Sequence, residues 1–168
     1  MKKSLILLLT CIFALPLYAQ KLTKEEKEAA AKAAYEAAVQ CVEQKLFVIV
    51  PTTYTTSSGA IEDNIDKANF LSSEGEHLFA QGSIVCGNGY TNLLDATEYT
   101  VSFDKKGNMK LKIVVIGRMM NGSYSISLKN NTNVAEVIFT PSSGMTRKFT
   151  GPILPPNPAD YNKRANPM

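Results

Sequence analysis

The sequence predicts an α+β domain: an N-terminal amphipathic helix packed on a curved antiparallel β-meander, half-barrel or sandwich-like in form. Three observations carry that expectation. Apolar residues recur at helical spacing between Thr23 and about Lys45, and from Leu46 the period changes from 3.6 to 2. The alternating runs that follow are short and joined by tight-turn residues, as in a meander.

Ahead of the helix, Met1-Lys2-Lys3 leads into an apolar run from Ser4 to Leu15, then Pro16 and the small residue Ala19. This is the layout of a secretory signal peptide over 1–19, cut between Ala19 and Gln20. A permanent anchor takes about 20 apolar residues, so the mature chain is expected to carry no transmembrane anchor and to be periplasmic or secreted. Cys11 follows Thr10 in the middle of the apolar run, where lipidation would split it. Residues 20–151 then form a single helix-plus-β domain, and 152–168 a Pro-rich flexible tail. Without Lys2 and Lys3 the chain has 16 basic and 15 acidic residues. So even a balance argues against nucleic acid as a partner, because that affinity scales with the phosphates neutralised.

Thr23-Lys24-Glu25-Glu26 has the spacing of a capping box, and the alanine-rich stretch behind it favours helix. Tyr35, Ala38, Val39, Val42 and Leu46 share one apolar stripe, with Glu25, Glu36, Gln40 and Glu43 opposite. Leu46 to Val50 reads as a buried strand ended by Pro51, and Thr52 to Gly59 as a Ser/Thr loop. Asn69–Ser73 and His77–Cys86 are further strands, with Leu78, Ala80, Gly82, Ile84 and Cys86 on one face. Alternation is clearest over Thr97–Asp104, Met109–Gly117, Ser123–Lys129 and Val134–Thr140, and Met145–Thr150 follows as the last strand. The turns between them carry Lys106-Gly107, Asn121-Gly122 and Ser143-Gly144.

From Leu46 to Pro156 the order of parts includes Phe47-Val48, Leu78-Phe79-Ala80-Gln81-Gly82 and the hairpin Asp104-Lys105-Lys106-Gly107. Tyr124-Ser125-Ile126-Ser127-Leu128 and Phe149-Thr150-Gly151-Pro152-Ile153 close the series. In this the stretch resembles an uncharacterised family of secreted proteins from Bacteroidota-type bacteria, domain of unknown function 4251. The resemblance implies an envelope address and a helix-plus-β domain. It implies no activity and transfers no catalytic residue.

The chemistry-bearing residues are sparse. His77 is the only histidine, so a zinc site of several His, Cys or carboxylate ligands has little to draw on. The two cysteines of the mature chain, Cys41 and Cys86, are either a disulfide suited to an oxidising compartment or two separate small buried hydrophobes. Neither has the Cys-x-x-Cys spacing of a redox enzyme. Ser57-Ser58-Gly59 and Ser142-Ser143-Gly144 lack a nucleophile elbow. Gly87-Asn88-Gly89 has too few glycines for a phosphate cradle, and Asp63-Asn64-Ile65-Asp66 lacks the glycine and distal glutamate of a calcium loop. No catalytic residue, cofactor or metal is therefore assigned. Tyr54, Tyr90 and Tyr99 are the candidate binding surface, since tyrosine gives rigid amphipathic contact area. The expected function is a non-enzymatic module binding an envelope protein, lipid or glycan. The alternatives are an inhibitor of a periplasmic enzyme, or a hydrolase of an envelope polymer built on Asp63, Asp66, Glu74 and Glu76. The hydrolase requires two of those carboxylates about 5–9.5 Å apart in a cleft.

Overall fold

The structure, a computed structural model, describes residues 23–168; the leader expected over 1–19 lies outside the described residues. The chain enters through the expected capping box. Glu26 N donates to Thr23 Oγ1 at 3.2 Å, and Thr23 N to Glu26 Oε2 at 2.7 Å. Helix α1 runs Lys24–Glu43. It stops where Lys45 takes a positive φ of 55°, its carbonyl being taken by Gly75 N and Ser73 Oγ. Ten strands follow: β1 (Leu46–Ile49), β2 (Thr53–Thr55), β3 (Ile61–Asp63), β4 (Phe70–Glu74), β5 (His77–Gly82), β6 (Asn88–Phe103), β7 (Met109–Gly117), β8 (Asn121–Leu128), β9 (Val134–Pro141) and β10 (Arg147–Leu154).

The sheet closes on itself, in place of the half-barrel or sandwich-like meander that the sequence predicts. Strands β1, β4, β5, β6, β7, β8, β9 and β10 pair antiparallel in that order, and β10 returns to β1 through Val48↔Leu154 and Ile49↔Ile153. The result is a closed eight-stranded barrel, with the β2–β3 hairpin flaring from the β10 wall. The fold is mostly β with one helix, not a helix lying on a half-barrel. Closure depends on residues that read as breakers. Ile153 N donates to Asn133 O, so Pro152, one residue earlier, turns its nitrogen to the other side of the strand. There β10 changes partner from β2 to β1 and no donor is required. Gly151 gives the room: a Cβ would lie 3.1 Å from Ile49 Cγ2 and against the Val50 carbonyl.

An eight-stranded barrel is just wide enough for side chains to fill. Met109, Leu111, Ile113, Val115, Tyr124, Ile126, Val137, Phe139 and Phe149 do so, on the faces that alternation assigns. Tyr124 and Phe139 stack with centroids 4.5 Å apart. Helix α1 covers one end, inserting Ala38, Cys41 and Val42. Tyr35 donates to the Gly107 carbonyl in the β6–β7 turn, and Tyr99 to Val42 O at 2.6 Å. At the opposite end the 83–87 turn folds inward, with Val85 fully buried and its carbonyl accepting from the Tyr124 hydroxyl at 3.2 Å.

In place of a free tail from Pro152, residues 155–168 form a strap across the outer face of β1, β4 and β5. Tyr161 packs on Phe70 at 4.7 Å between centroids, in a second apolar cluster with Val48 and Phe79. Buried Gln81 donates to Asn162 O and Ala68 O, both at 2.8 Å, and accepts from Arg164 N at 3.0 Å. Met168 pairs with β6 through Thr91 O and Leu93 N. The polar segment Asn88–Leu93, which alternation missed, is thus a strand whose other edge the strap completes.

Candidate functional site

Concave surface among the described residues includes two regions, one beside the strap and one at an end of the barrel. The first is a groove of about 610 Å³ between the helix and the strap, lined by Gln40, Cys41, Leu46, Pro155, Pro158 and Tyr161. The one charged residue in its lining, Glu74, is satisfied internally. Burial alone would raise the Glu74 carboxyl. Hydrogen bonds from Lys163 (2.9 and 3.0 Å), Tyr161 (3.0 Å) and Ser72 (3.0 Å) outweigh that and hold it below the ordinary carboxylate range. Burial, with the bond to Glu74, pushes the Tyr161 hydroxyl up to about 12. Lys163 Nζ also sits 3.2 Å over the Phe79 ring. The groove is thus flanked by an ion pair that fastens the strap.

The second region is the barrel end opposite the helix. A basin of about 410 Å³ is walled by the 83–87, β7–β8 and β9–β10 turns, with Cys86, Asn88, Arg118, Met120, Ser143 and Arg147 among its lining. A neighbouring basin of about 530 Å³ is lined by Tyr54, Ser57, Ile84, Met145, Arg147 and Lys148, among others. Arg147 and Met145 belong to both. Neither basin is lined by an Asp or Glu, and among the described residues no arginine forms an ion pair with a carboxylate.

The chain has three arginines against fifteen lysines, and the fold brings all three arginines to the Gly87-Asn88-Gly89 run. Arg118 lines the basin with Gly87 and Asn88. Arg147 lies on Gly87, whose φ is +86°; a Cβ there would be 2.6 Å from Nη2 and 2.8 Å from Nε. Arg164 donates to the Gly89 carbonyl. The floor beneath is fixed by buried Asn92, whose Nδ2 lies 3.0 Å from Ala80 O, Asn88 Oδ1 and Tyr90 O and 3.4 Å from Cys86 Sγ. Burial pushes the Cys86 thiol up, against the opposing pull of the Asn88 backbone and the Arg147 charge. The thiol therefore stays protonated and neutral at neutral pH. This end can hold an anion, and its thiol is poorly placed to act as a nucleophile.

The sequence-predicted residues scatter. Cys41 and Cys86 are both buried free thiols, the first in the helix that covers one end, the second in the turn at the other. Of the tyrosines, Tyr54 lines the second basin, its hydroxyl donating to Glu62 at 2.5 Å. Tyr90 stands exposed beside Gly89, and Tyr99 is tied to the helix. Asp63 is exposed on β3 and Glu76 in the β4–β5 turn, while Asp66 accepts from Ala68 N and Asn69 Nδ2. Glu74 serves the strap and His77 is exposed at the start of β5. Among the described residues no three of His, Cys, Asp and Glu are grouped to hold a metal, and no helix is long and apolar enough to cross a membrane. The arginine cluster was missed because its members are 29 and 17 residues apart in the chain; the rarity of arginine beside lysine was the one available signal.

Fold and site together define a closed antiparallel barrel with a helix across one end and an arginine-lined basin at the other. No family model matches the sequence, and no curated protein matches it. A solved structure is similar: the crystal structure of a DUF4251 family protein from Bacteroides eggerthii DSM 20697. It has a TM-score of 0.65 and 20% identity, covering 76% of this chain and 91% of that one. At that identity the likeness establishes a shared fold.

Proposed function

We propose that the protein is an exported, non-enzymatic binding module that engages its ligand at the barrel end opposite the helix. The carrying observation is that two of the chain's three arginines, Arg118 and Arg147, line the first basin, with no carboxylate lining either basin. The leader pattern at 1–19 supports the export half of the reading. The non-enzymatic half is supported by a protonated, hydrogen-bonded Cys86 and by the dispersal of Asp63, Asp66, Glu74 and Glu76 over separate elements.

Amide chemical-shift mapping with three fragments (benzoate, benzyl alcohol and benzylamine) tests the location. Perturbations are expected at 83–88, 118–121 and 142–148. Shifts confined to the helix–strap groove around Gln44, Leu46 and Tyr161, or no shift with any fragment, would overturn the site. Turnover of a glycan or ester substrate by the purified protein would overturn the non-enzymatic reading.

A further inference from the structure

Resting on that reading of the basin, the ligand's chemistry can be specified from the residues that line it. Guanidinium matches carboxylate and phosphate as a planar fork, a geometry that lysine cannot reproduce. Arg147 is preorganised for the task. Its guanidinium packs so close to Gly87 that a Cβ there would meet Cζ at 3.0 Å, a contact that spares it some of the conformational freedom that an exposed arginine would lose on binding. Arg118 lines the same basin, and Ser142 and Asn88 add neutral hydrogen-bonding groups. Beyond Arg147 the second basin mixes apolar side chains, Met145 (61% exposed), Ile84 and the Tyr54 ring, with hydroxyls such as Thr55, Ser57 and Thr146, and Lys148 is its second cation. Exposed methionine is adaptable, soft contact surface of the kind used where a flexible apolar partner docks. Glu62 lies at the far margin, held by the Tyr54 hydroxyl.

We infer that the two basins together take an amphiphile with a single oxyanion head, Arg147 and Arg118 gripping the head while Tyr54, Ile84 and Met145 receive its apolar chain. The chemistry requires an oxyanion on a hydrocarbon body; an alkyl carboxylate and an alkyl phosphate are its two sources.

Isothermal titration with decanoate, decyl phosphate, decanol and inorganic phosphate, each below its aggregation threshold, separates the contributions. One or both of the charged amphiphiles should bind, with the tighter identifying the source. Decanol and inorganic phosphate should each be at least tenfold weaker. Arg147→Gln should weaken the charged amphiphile by about tenfold to a hundredfold and leave decanol unchanged. Arg147→Lys, which keeps the charge and guards against misfolding of the first variant, should recover only part of the loss. Lys110→Gln, an equal loss of charge on the outer β7 wall, should change nothing. Decanol equal to decanoate, or an unaltered Arg147→Gln affinity, would overturn the oxyanion assignment while leaving the basin as the binding surface if fragment shifts still map there. Failure of all four probes together with absent fragment shifts would remove the binding reading itself.

Discussion

The two ends of the barrel are sealed by different means. At one end a twenty-residue helix inserts Ala38, Cys41 and Val42 into the interior, and two tyrosine hydroxyls, Tyr35 and Tyr99, tie it down. At the other, a five-residue turn does the sealing with Val85 and Cys86, and charged and sulfur-containing side chains surround it. The helical end spends its residues on burial. The turn end keeps Arg118 and Arg147 in the basin lining without an ion-paired carboxylate among the described residues, whereas Arg164 ties the strap to Gly89. Regions held together mainly by apolar contact serve the fold, and unneutralised charge on a rigid rim marks the surface available for recognition.

Substitutions at the two ends should therefore separate stability from binding. Val42→Asp, placing a carboxylate at a fully buried position beneath the helix, should cost about 4 kcal/mol or more. A urea melt would show it; a loss under about 1 kcal/mol would mean that the helix is not part of the core. Tyr161→Ala, which opens the outer cluster on Phe70 and Phe79, should cost about 3 kcal/mol and raise hydrogen exchange at Met168 and Leu93. Gly87→Ala should cost about 1–2 kcal/mol for its positive φ and displace Arg147, so weaker ligand binding should accompany a modest stability loss. Glu74→Gln probes the strap alone. The Glu74 carboxyl is held below its ordinary value in the folded state. Its contribution is thus complete above the unfolded-state value and is lost as pH falls through the folded one. With partial exposure screening the pair, the difference between wild type and variant should be about 1 kcal/mol at neutral pH and vanish in acid. Thermal melts across that range would read it. Arg147→Gln should change stability by less than about 0.5 kcal/mol while weakening the charged amphiphile by about tenfold to a hundredfold, completing the contrast with Val42.

Much of the wall was legible because inward and outward positions alternate with period two. Met109, Leu111, Ile113 and Val115 face in, as do Tyr124, Ile126 and Leu128. The helix start was legible from Thr23 and Glu26, since a capping box is a local arrangement. The first half of β6 was not legible. Thr91 and Asn92 are buried polar residues that show no apolar alternation, and their burial depends on partners in β5, Gln81 and Ala80, and in the strap 73 residues on. Nor was Pro152 within β10, where the position of one nitrogen relative to two different neighbours decides whether proline is tolerated.

By itself the sequence determined one leading helix, a succession of antiparallel strands, the inward side chains of the clearly alternating ones and the scarcity of reactive groups, while β2 read as part of a Ser/Thr loop. These follow from periodicity, capping and turn chemistry, which act over a few residues. Tertiary structure alone decided that β10 meets β1 to close the barrel, that 155–168 fasten onto the outer wall, and that Arg118, Arg147 and Arg164 gather beside Gly87 and Gly89. Each depends on contacts between residues distant in the chain, whose closeness is set by the number, length and register of the strands between them.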